Sequence, residues 1–241
     1  MSPSMSAPRQ KAMLACHQPH YLPWLGYIDK ISKVEMFCCI DIIPFDASLY
    51  QHRNKTRTEA GAEWLILPVQ SPDGERTLIK DICLDPSVPW NSEHWAQIQH
   101  SYARAPYFAM YADKIRSVYR QPWHTLTDLN INLTHVILDC FGIKTKLFRA
   151  SQFFQAPPKD ENLLVALSRK VGAISYMSGA GGNCSELDRD VLETAGITHI
   201  VQEFKHPAYP QIHGEFMPNM NALDLLFNCG PDSERILSHE Q

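Results

Sequence analysis

Short apolar runs that alternate with amphipathic segments are the feature of this chain that most restricts its fold. Residues 12–16 and 36–43 are runs of strand length, the second apolar apart from Asp41. Residues 26–34 between them place apolar side chains on one helical face. Two parallel strands need a crossover connection, and a helix is the usual one. The order strand, helix, strand therefore predicts a parallel βαβ unit.

The same alternation continues along most of the chain. Residues 91–141 have helical periodicity and many aromatic side chains, with breaks at Pro106 and Pro122. Residues 77–82 are expected to return as the partner of a strand at 64–69, because a turn signal separates them. The other predicted elements are strands at 144–148, 173–177 and 198–202, and helices at 125–140, 162–171, 188–195 and 216–230.

This pattern predicts an α/β fold, in which a mainly parallel sheet is joined by crossover helices and carries a helical, aromatic-rich insertion. The sequence has no internal repeat and no linker that would divide it, so a single domain is expected. The domain is predicted to span residues 11–232. A disordered leader is predicted at residues 1–10 and a flexible tail at residues 233–241.

Composition argues against several classes of function. The formal net charge is -4 and the Lys and Arg residues are scattered, so neither a nucleic-acid partner nor a membrane partner is expected. No apolar stretch reaches the length of a membrane span. The 7 cysteines include no Cys-x-x-Cys pair, which is typical of a reducing compartment, and we expect a cytoplasmic protein.

The most informative polar cluster follows the first predicted strand. In open α/β sheets, ligands bind beyond the carboxyl ends of the strands, where this cluster would lie. His17 and His20 are candidates for acid–base catalysis, since histidine titrates near neutral pH. Gln18, Tyr21 and Tyr27 are candidates for substrate binding through their polar groups. The alternative is a rigid turn whose histidines only stabilise the structure.

Cys16 precedes His17 at the end of the same strand and is a candidate nucleophile. A thiol with a neighbouring histidine as base can accept an acyl group and pass it to an amine. The alternative is a buried thiol that packs as a small apolar side chain. Replacement by serine and a search for an acyl adduct would separate the two.

A second polar cluster combines Asp41 with Arg53 and Asn54, which are candidates for substrate binding. An arginine beside an asparagine can hold a carboxylate or a phosphate through two hydrogen bonds. Such a run is also typical of a solvated surface. Arg53 could instead form a structural salt bridge with Asp41 or Asp224.

A third cluster joins a glycine-rich loop to a polar segment near the carboxyl end of the chain. Gly179 and Gly181 could expose backbone amides to a phosphate or an oxyanion, although the loop lacks the P-loop lysine. His206, Tyr209 and Gln211 are the candidate binding residues of the polar segment. No histidine pair has the spacing of a zinc enzyme, so neither a metal nor another cofactor is predicted.

These motifs occur in an order that resembles the WbqC-like family. The resemblance covers roughly residues 12 to 230. Its signature is His17-Gln18-Pro19-x-Tyr21-Leu22-Pro23-Trp24-Leu25-Gly26-Tyr27, followed by Asp41, Arg53-Asn54-Lys55 and residues 178–182, 202–211 and 222–230. The resemblance implies a bacterial biosynthetic protein of polysaccharide gene clusters, including those for O-antigen, and some members have been proposed to transfer glycine or another acyl group.

This chain departs from the family pattern after the second strand. Members commonly carry Asp-Asp-Val-Gln there, followed by a basic residue, whereas this chain reads Asp41-Ile42-Ile43-Pro44 and then Ala47-Ser48. The second Asp, the Gln and the basic residue are absent. The departure favours a divergent substrate, such as one of natural-product biosynthesis.

Three functions follow from the sequence and the resemblance. The first is a transferase that moves an aminoacyl or acyl group from a thioester donor to an amine of a small molecule or a sugar. The second is a nucleotide-activating ligase or nucleotidyltransferase, and the third is a non-catalytic binding protein of a biosynthetic complex. A small-molecule substrate is the expected partner, and an acyl or peptidyl carrier protein is an open alternative for the donor.

Overall fold

The predicted alternation of strands and helices is present in the computed structural model, which describes residues 12–179 and 186–238. The strands are β1 (Met13–His17), β2 (Met36–Cys39), β3 (Arg53–Thr58), β4 (Gly61–Ile66), β5 (Val69–Gln70), β6 (Cys83–Leu84), β7 (Lys146–Arg149), β8 (Ser175–Ser178) and β9 (Thr198–Val201). The helices are α1 (Leu25–Ser32), α2 (Trp90–Tyr102), α3 (Phe108–Tyr119), α4 (Leu126–Cys140), α5 (Leu163–Val171), α6 (Glu186–Thr194), α7 (Ala222–Cys229) and α8 (Ser233–Ser238).

A parallel sheet forms the centre of the described structure, with the strand order β7-β2-β1-β8-β9. The chain builds outward from β1 to β2 and β7, then returns to the other side of β1 with β8 and β9. The strand order therefore reverses between β1 and β8, and such a reversal opens a crevice at the carboxyl ends of the strands. The predicted α/β fold with a mainly parallel sheet is confirmed.

Helices cover both faces of this sheet because each strand is apolar on both sides. On one face, Leu14 of β1 and Cys38 of β2 pack with α5 and α6. On the other face, Ala15 and Phe37 pack with α1, α4 and α7 in the larger core cluster. The helical insertion α2–α4 contributes aromatic side chains such as Tyr102 to that cluster, as predicted.

The antiparallel hairpin is the main difference from the sequence prediction. The strand predicted at 64–69 is β4, but its partner is β3 and not residues 77–82. Residues Ile79–Asp81 form a short 3-10 helix instead. The strand β3 escaped prediction because its inward side chains, such as Asn54 and Thr56, are buried polar groups rather than apolar ones.

The carboxyl-terminal segment also differs from its prediction. A helix was expected from residue 216, whereas α7 begins at Ala222 after Asn221, whose side chain accepts a hydrogen bond from the Leu223 amide. Asparagine at this position favours a helix start because it satisfies a free amide. A flexible tail was expected from residue 233, whereas α8 occupies Ser233–Ser238 and buries Leu237. In residues 12–179 and 186–238, no helix has both the length and the apolar character that crossing a membrane requires.

Candidate functional site

A cavity of about 480 Å³ lies at the carboxyl edge of the parallel sheet. This volume falls within the range of small-molecule sites. Strands β1, β2 and β8 end beside it, and the Gln202 amide continues the β8–β9 pairing by donating to the Ser178 carbonyl at 2.8 Å. The lining residues are Cys16, His17, Gln18, Trp24, Gly26, Tyr27, Lys30, Ile40, Ile43, Leu164, Tyr176, Ser178, Gly179, Gln202 and Phe204.

His17 is the last residue of β1 and lines the cavity. Its Nδ1 lies 3.0 Å from the Gln18 carbonyl oxygen, which assigns the ring proton to Nδ1 and leaves Nε2 as an acceptor. Burial, together with the positive charge of Lys30, lowers the pKa of His17 to about 3. At neutral pH the ring is therefore a neutral imidazole.

His20 and Tyr27 form an aromatic cluster with His17. The His20 ring packs edge-on against His17 with ring centroids 4.6 Å apart, and it stacks on Tyr27 at 5.1 Å. His20 is buried, and neither ring nitrogen has a hydrogen-bond partner among the described residues. Burial, with the nearby His17 and Lys30, holds the pKa of His20 well below its usual value. Burial also raises the pKa of Tyr27.

Lys30 is the functional candidate that the sequence analysis missed. It is 4% exposed, lines the cavity, and donates from Nζ to the Cys16 carbonyl oxygen at 3.3 Å. No carboxylate pairs with it among the described residues. Burial lowers its pKa to about 8. A sequence signal existed, because Lys30 lies between Tyr27 and Ile31 on the buried stripe of α1.

Trp24 forms a wall of the cavity and explains one glycine of the motif. Its ring contacts Phe204 edge-on, with centroids 5.4 Å apart. A side-chain carbon at Gly26 would lie 2.3 Å from the Trp24 ring, so only glycine allows this packing. Gln202 closes the adjoining wall by donating from Nε2 to the Gly26 carbonyl at 2.9 Å.

The motif turn that carries His20 is held from outside by Asn54. Leu22 has a φ of 46°, which is rare for a side chain other than glycine. The buried Asn54 donates from Nδ2 to the carbonyl oxygens of Leu22, at 2.5 Å, and of Tyr21, at 3.3 Å. Asn54 therefore positions the turn and does not line the cavity described above.

Several other predicted site residues lie away from the cavity lining. Tyr21 points into the core, where its hydroxyl lies 2.7 Å from His94 Nδ1 and 2.8 Å from the Tyr119 hydroxyl. Asp41 accepts from the backbone amide and the hydroxyl of Ser151. Arg53 donates to the Ser48 carbonyl and lies over the Trp64 ring, and it pairs with neither Asp41 nor Asp224.

The carboxyl-terminal polar segment forms its own network. His206 accepts from the Asn219 amide at Nε2, and burial lowers its pKa. Gln211 donates from Nε2 to Asp224 at 2.8 Å, and the buried Tyr209 stacks on His206. The structure thus brings together Cys16, His17, Gln18, His20, Tyr27 and Gly179. The predicted residues His206, Tyr209 and Gln211 lie apart from this group. Gly181 lies outside the described residues.

Among residues 12–179 and 186–238, no group of three or more His, Cys, Asp or Glu side chains is arranged to hold a metal ion. The donors at the cavity are instead imidazole, ammonium, thiol, phenol and amide groups. Such a set can exchange protons, donate hydrogen bonds to an anion and form a thioester.

Similarity to known proteins covers nearly the whole chain. The WbqC-like protein family matches residues 18–236. The chain is 30% identical to an uncharacterized protein of Mycobacterium tuberculosis, Rv1507c, over 94% of this chain and 97% of that protein. No solved structure matches the chain.

Proposed function

Since the chain belongs to the WbqC-like protein family, we propose that it is a biosynthetic transferase whose active site is the cavity at the end of β1. In this proposal an aminoacyl or acyl group moves from a thioester donor to an amine of a small molecule or a sugar. One observation carries the proposal, namely a neutral His17 near the buried ammonium of Lys30, which pairs with no carboxylate among the described residues, in a cavity of substrate size.

Amine attack on a thioester needs a proton acceptor and a group that stabilises the oxyanion. His17 would accept the amine proton at Nε2, because Nδ1 is held by the Gln18 carbonyl. Burial and the charge of Lys30 set its pKa at about 3. The negative charge that develops on the tetrahedral intermediate raises the pKa of a neighbouring imidazole, which favours this proton transfer. A backbone amide of the glycine loop, such as that of Gly179, would donate to the oxyanion, and the donor thiol would leave with the proton.

Cys16 offers a covalent variant of the same reaction. Its sulfur would attack the thioester carbonyl, its proton would pass to the departing thiolate through a histidine, and the amine would then displace the cysteine. Cys16 lines the cavity, but it is 4% exposed and lies against Cys38, which favours a packing role over a nucleophilic one. Intact-mass spectrometry after mixing with donor alone decides, because only the covalent variant adds the acyl mass, and Cys16→Ser removes it.

A nucleotide-dependent ligase or nucleotidyltransferase is the second candidate, and the strand order favours it. Doubly wound sheets bind nucleotides in the crevice where the strand order reverses. Here that crevice lies between β1 and β8, where β1 ends at His17 and the following turn carries His20. In that case the acyl group would be activated on a nucleotide phosphate before the amine attacks.

An assay with matched donors separates these reactions. The purified protein is mixed with an amino sugar and either a glycyl thioester of N-acetylcysteamine or free glycine with ATP, and products are identified by mass spectrometry. We expect glycylated amine from the thioester without ATP. Product that requires ATP, with release of pyrophosphate, would support the second candidate. If no combination of donor and amine from a panel gave a product, the non-catalytic binding protein would be the remaining candidate. That outcome would contradict the proposal.

A further inference from the structure

Lys30 is buried and pairs with no acidic side chain among the described residues, which is unusual for a lysine with a purely structural role. Burying an ammonium without a carboxylate partner is unfavourable, and natural proteins keep such groups chiefly at functional sites. The nearest acid on its own helix, Asp29, is occupied by Lys33 Nζ at 2.9 Å and by Gln202 Nε2 at 2.6 Å. Among the described residues, the titratable groups that interact with Lys30 are His17, His20 and Cys16, none of which supplies a carboxylate.

The cavity adjoins the ammonium group. Lys30 lines it, and a side-chain carbon at Gly179 would lie 3.5 Å from Lys30 Nζ. A longer side chain at Gly179 would therefore begin in contact with the ammonium group and compete with a ligand for it. Gln18 lines the same cavity, and its Oε1 accepts from Gln51 Nε2 at 2.8 Å, which leaves the Gln18 amide hydrogens as donors to a ligand.

The place of Lys30 in the fold favours phosphate over other anions. The crevice at a reversal of strand order is where doubly wound sheets bind nucleotides. Lysine can hold a phosphate there as a point charge. Among the described residues no arginine lines the cavity, so Lys30 is the cation that would hold the group.

We propose that Lys30 anchors a phosphate group of the donor substrate in the cavity, with Gln18 as a second donor. This inference rests on the proposed function, since it names the class of donor that the transferase uses. Phosphate accompanies the acyl group both in nucleotide-activated acids and in thioesters of the phosphopantetheine arm. One anchor would therefore serve either donor.

The test measures anion binding without turnover. Isothermal titration calorimetry is carried out with pyrophosphate, with adenosine 5′-phosphate and with acetate, on the wild type and on Lys30→Met. The matched control is Lys146→Met, which removes an exposed lysine on β7, away from the cavity lining. We expect both phosphate compounds to bind the wild type and the control alike, and to bind Lys30→Met at least tenfold more weakly. Gly179→Leu keeps the lysine but places a side chain against the ammonium group, and the same loss is expected.

Equal phosphate binding by the wild type, Lys30→Met and Gly179→Leu would overturn the inference. Stronger binding of acetate than of either phosphate compound would also overturn it, in favour of a carboxylate site. These outcomes are independent of the transfer assay. A protein that transfers an acyl group without Lys30-dependent phosphate binding would refute the anchor but keep the proposed function.

Discussion

Replacing Lys30 by methionine is expected to raise the free energy of unfolding at pH 7 by about 3 kcal/mol. This value follows from the pKa of Lys30, which burial lowers from 10.5 to about 8. The shift means that the folded protein holds the charged lysine less favourably than water does. Methionine has a similar length and no charge, so it should fill the same space without this penalty. Stability gained at the expense of function is characteristic of functional residues.

The pH dependence provides the sharper form of this prediction. Between pH 8 and 10.5 the unfolded chain holds a proton on Lys30 that the folded protein has released, so the wild type gains relative stability as the pH rises. The advantage of Lys30→Met should be full below about pH 8 and should vanish towards pH 10.5. Urea unfolding of both proteins at pH 7, 9 and 10.5 measures this difference.

Lys146→Met is the matched control, because Lys146 is exposed on β7. Its stability should differ little from that of the wild type at each pH. A Lys30→Met protein less stable than the wild type at pH 7 would contradict the account of a strained, unpaired lysine.

Asp224→Ala is expected to lower the free energy of unfolding by about 2 to 5 kcal/mol, because two buried donors would lose their acceptor. Asp224 is fully buried on α7 and accepts from the Tyr102 hydroxyl at 3.0 Å and from Gln211 Nε2 at 2.8 Å. Alanine would also open a small cavity beside these donors. Burial raises the pKa of Asp224, so the buried charge itself is unfavourable, and the hydrogen bonds that it accepts offset part of that penalty.

Asp224→Asn therefore serves as the matched variant. It keeps the shape and one acceptor oxygen, and a smaller loss is expected because only one of the two donors must rearrange. Guanidinium unfolding of the three proteins measures the losses. Equal stability of Asp224→Ala and the wild type would show that this network does not hold the carboxyl-terminal segment to the domain.

The parallel sheet and most helices could be predicted because their signals are local. The apolar runs of β1 and β2 and the periodicity of α4 each lie within one short window of the sequence. The hairpin strand β3 could not be predicted in this way. Its buried Asn54 and Thr56 side chains find their hydrogen-bond partners in distant segments, such as the turn at Leu22. Register and pairing of this kind depend on tertiary contacts.

The candidate site shows the same division. His17 and Gln18 could be placed at the carboxyl edge of the sheet, because they directly follow an apolar strand. Lys30 was not among the predicted site residues, although a charge on the buried stripe of α1 was visible in the sequence. Gln211 and Asp224 lie 13 residues apart and meet through a bend that no periodicity reveals.

The rate of acyl transfer by His17→Asn tests the central claim most directly. Asparagine keeps a donor near the Gln18 carbonyl but removes the Nε2 acceptor, so the fold should persist while proton transfer is lost. With the donor and amine identified by the transfer assay, we expect the rate constant to fall by about 100-fold or more, with an unchanged melting temperature. His100→Asn, at an exposed site on α2, should keep the full rate. A His17→Asn protein that turns over as fast as the wild type would contradict the assignment of this cavity as the active site.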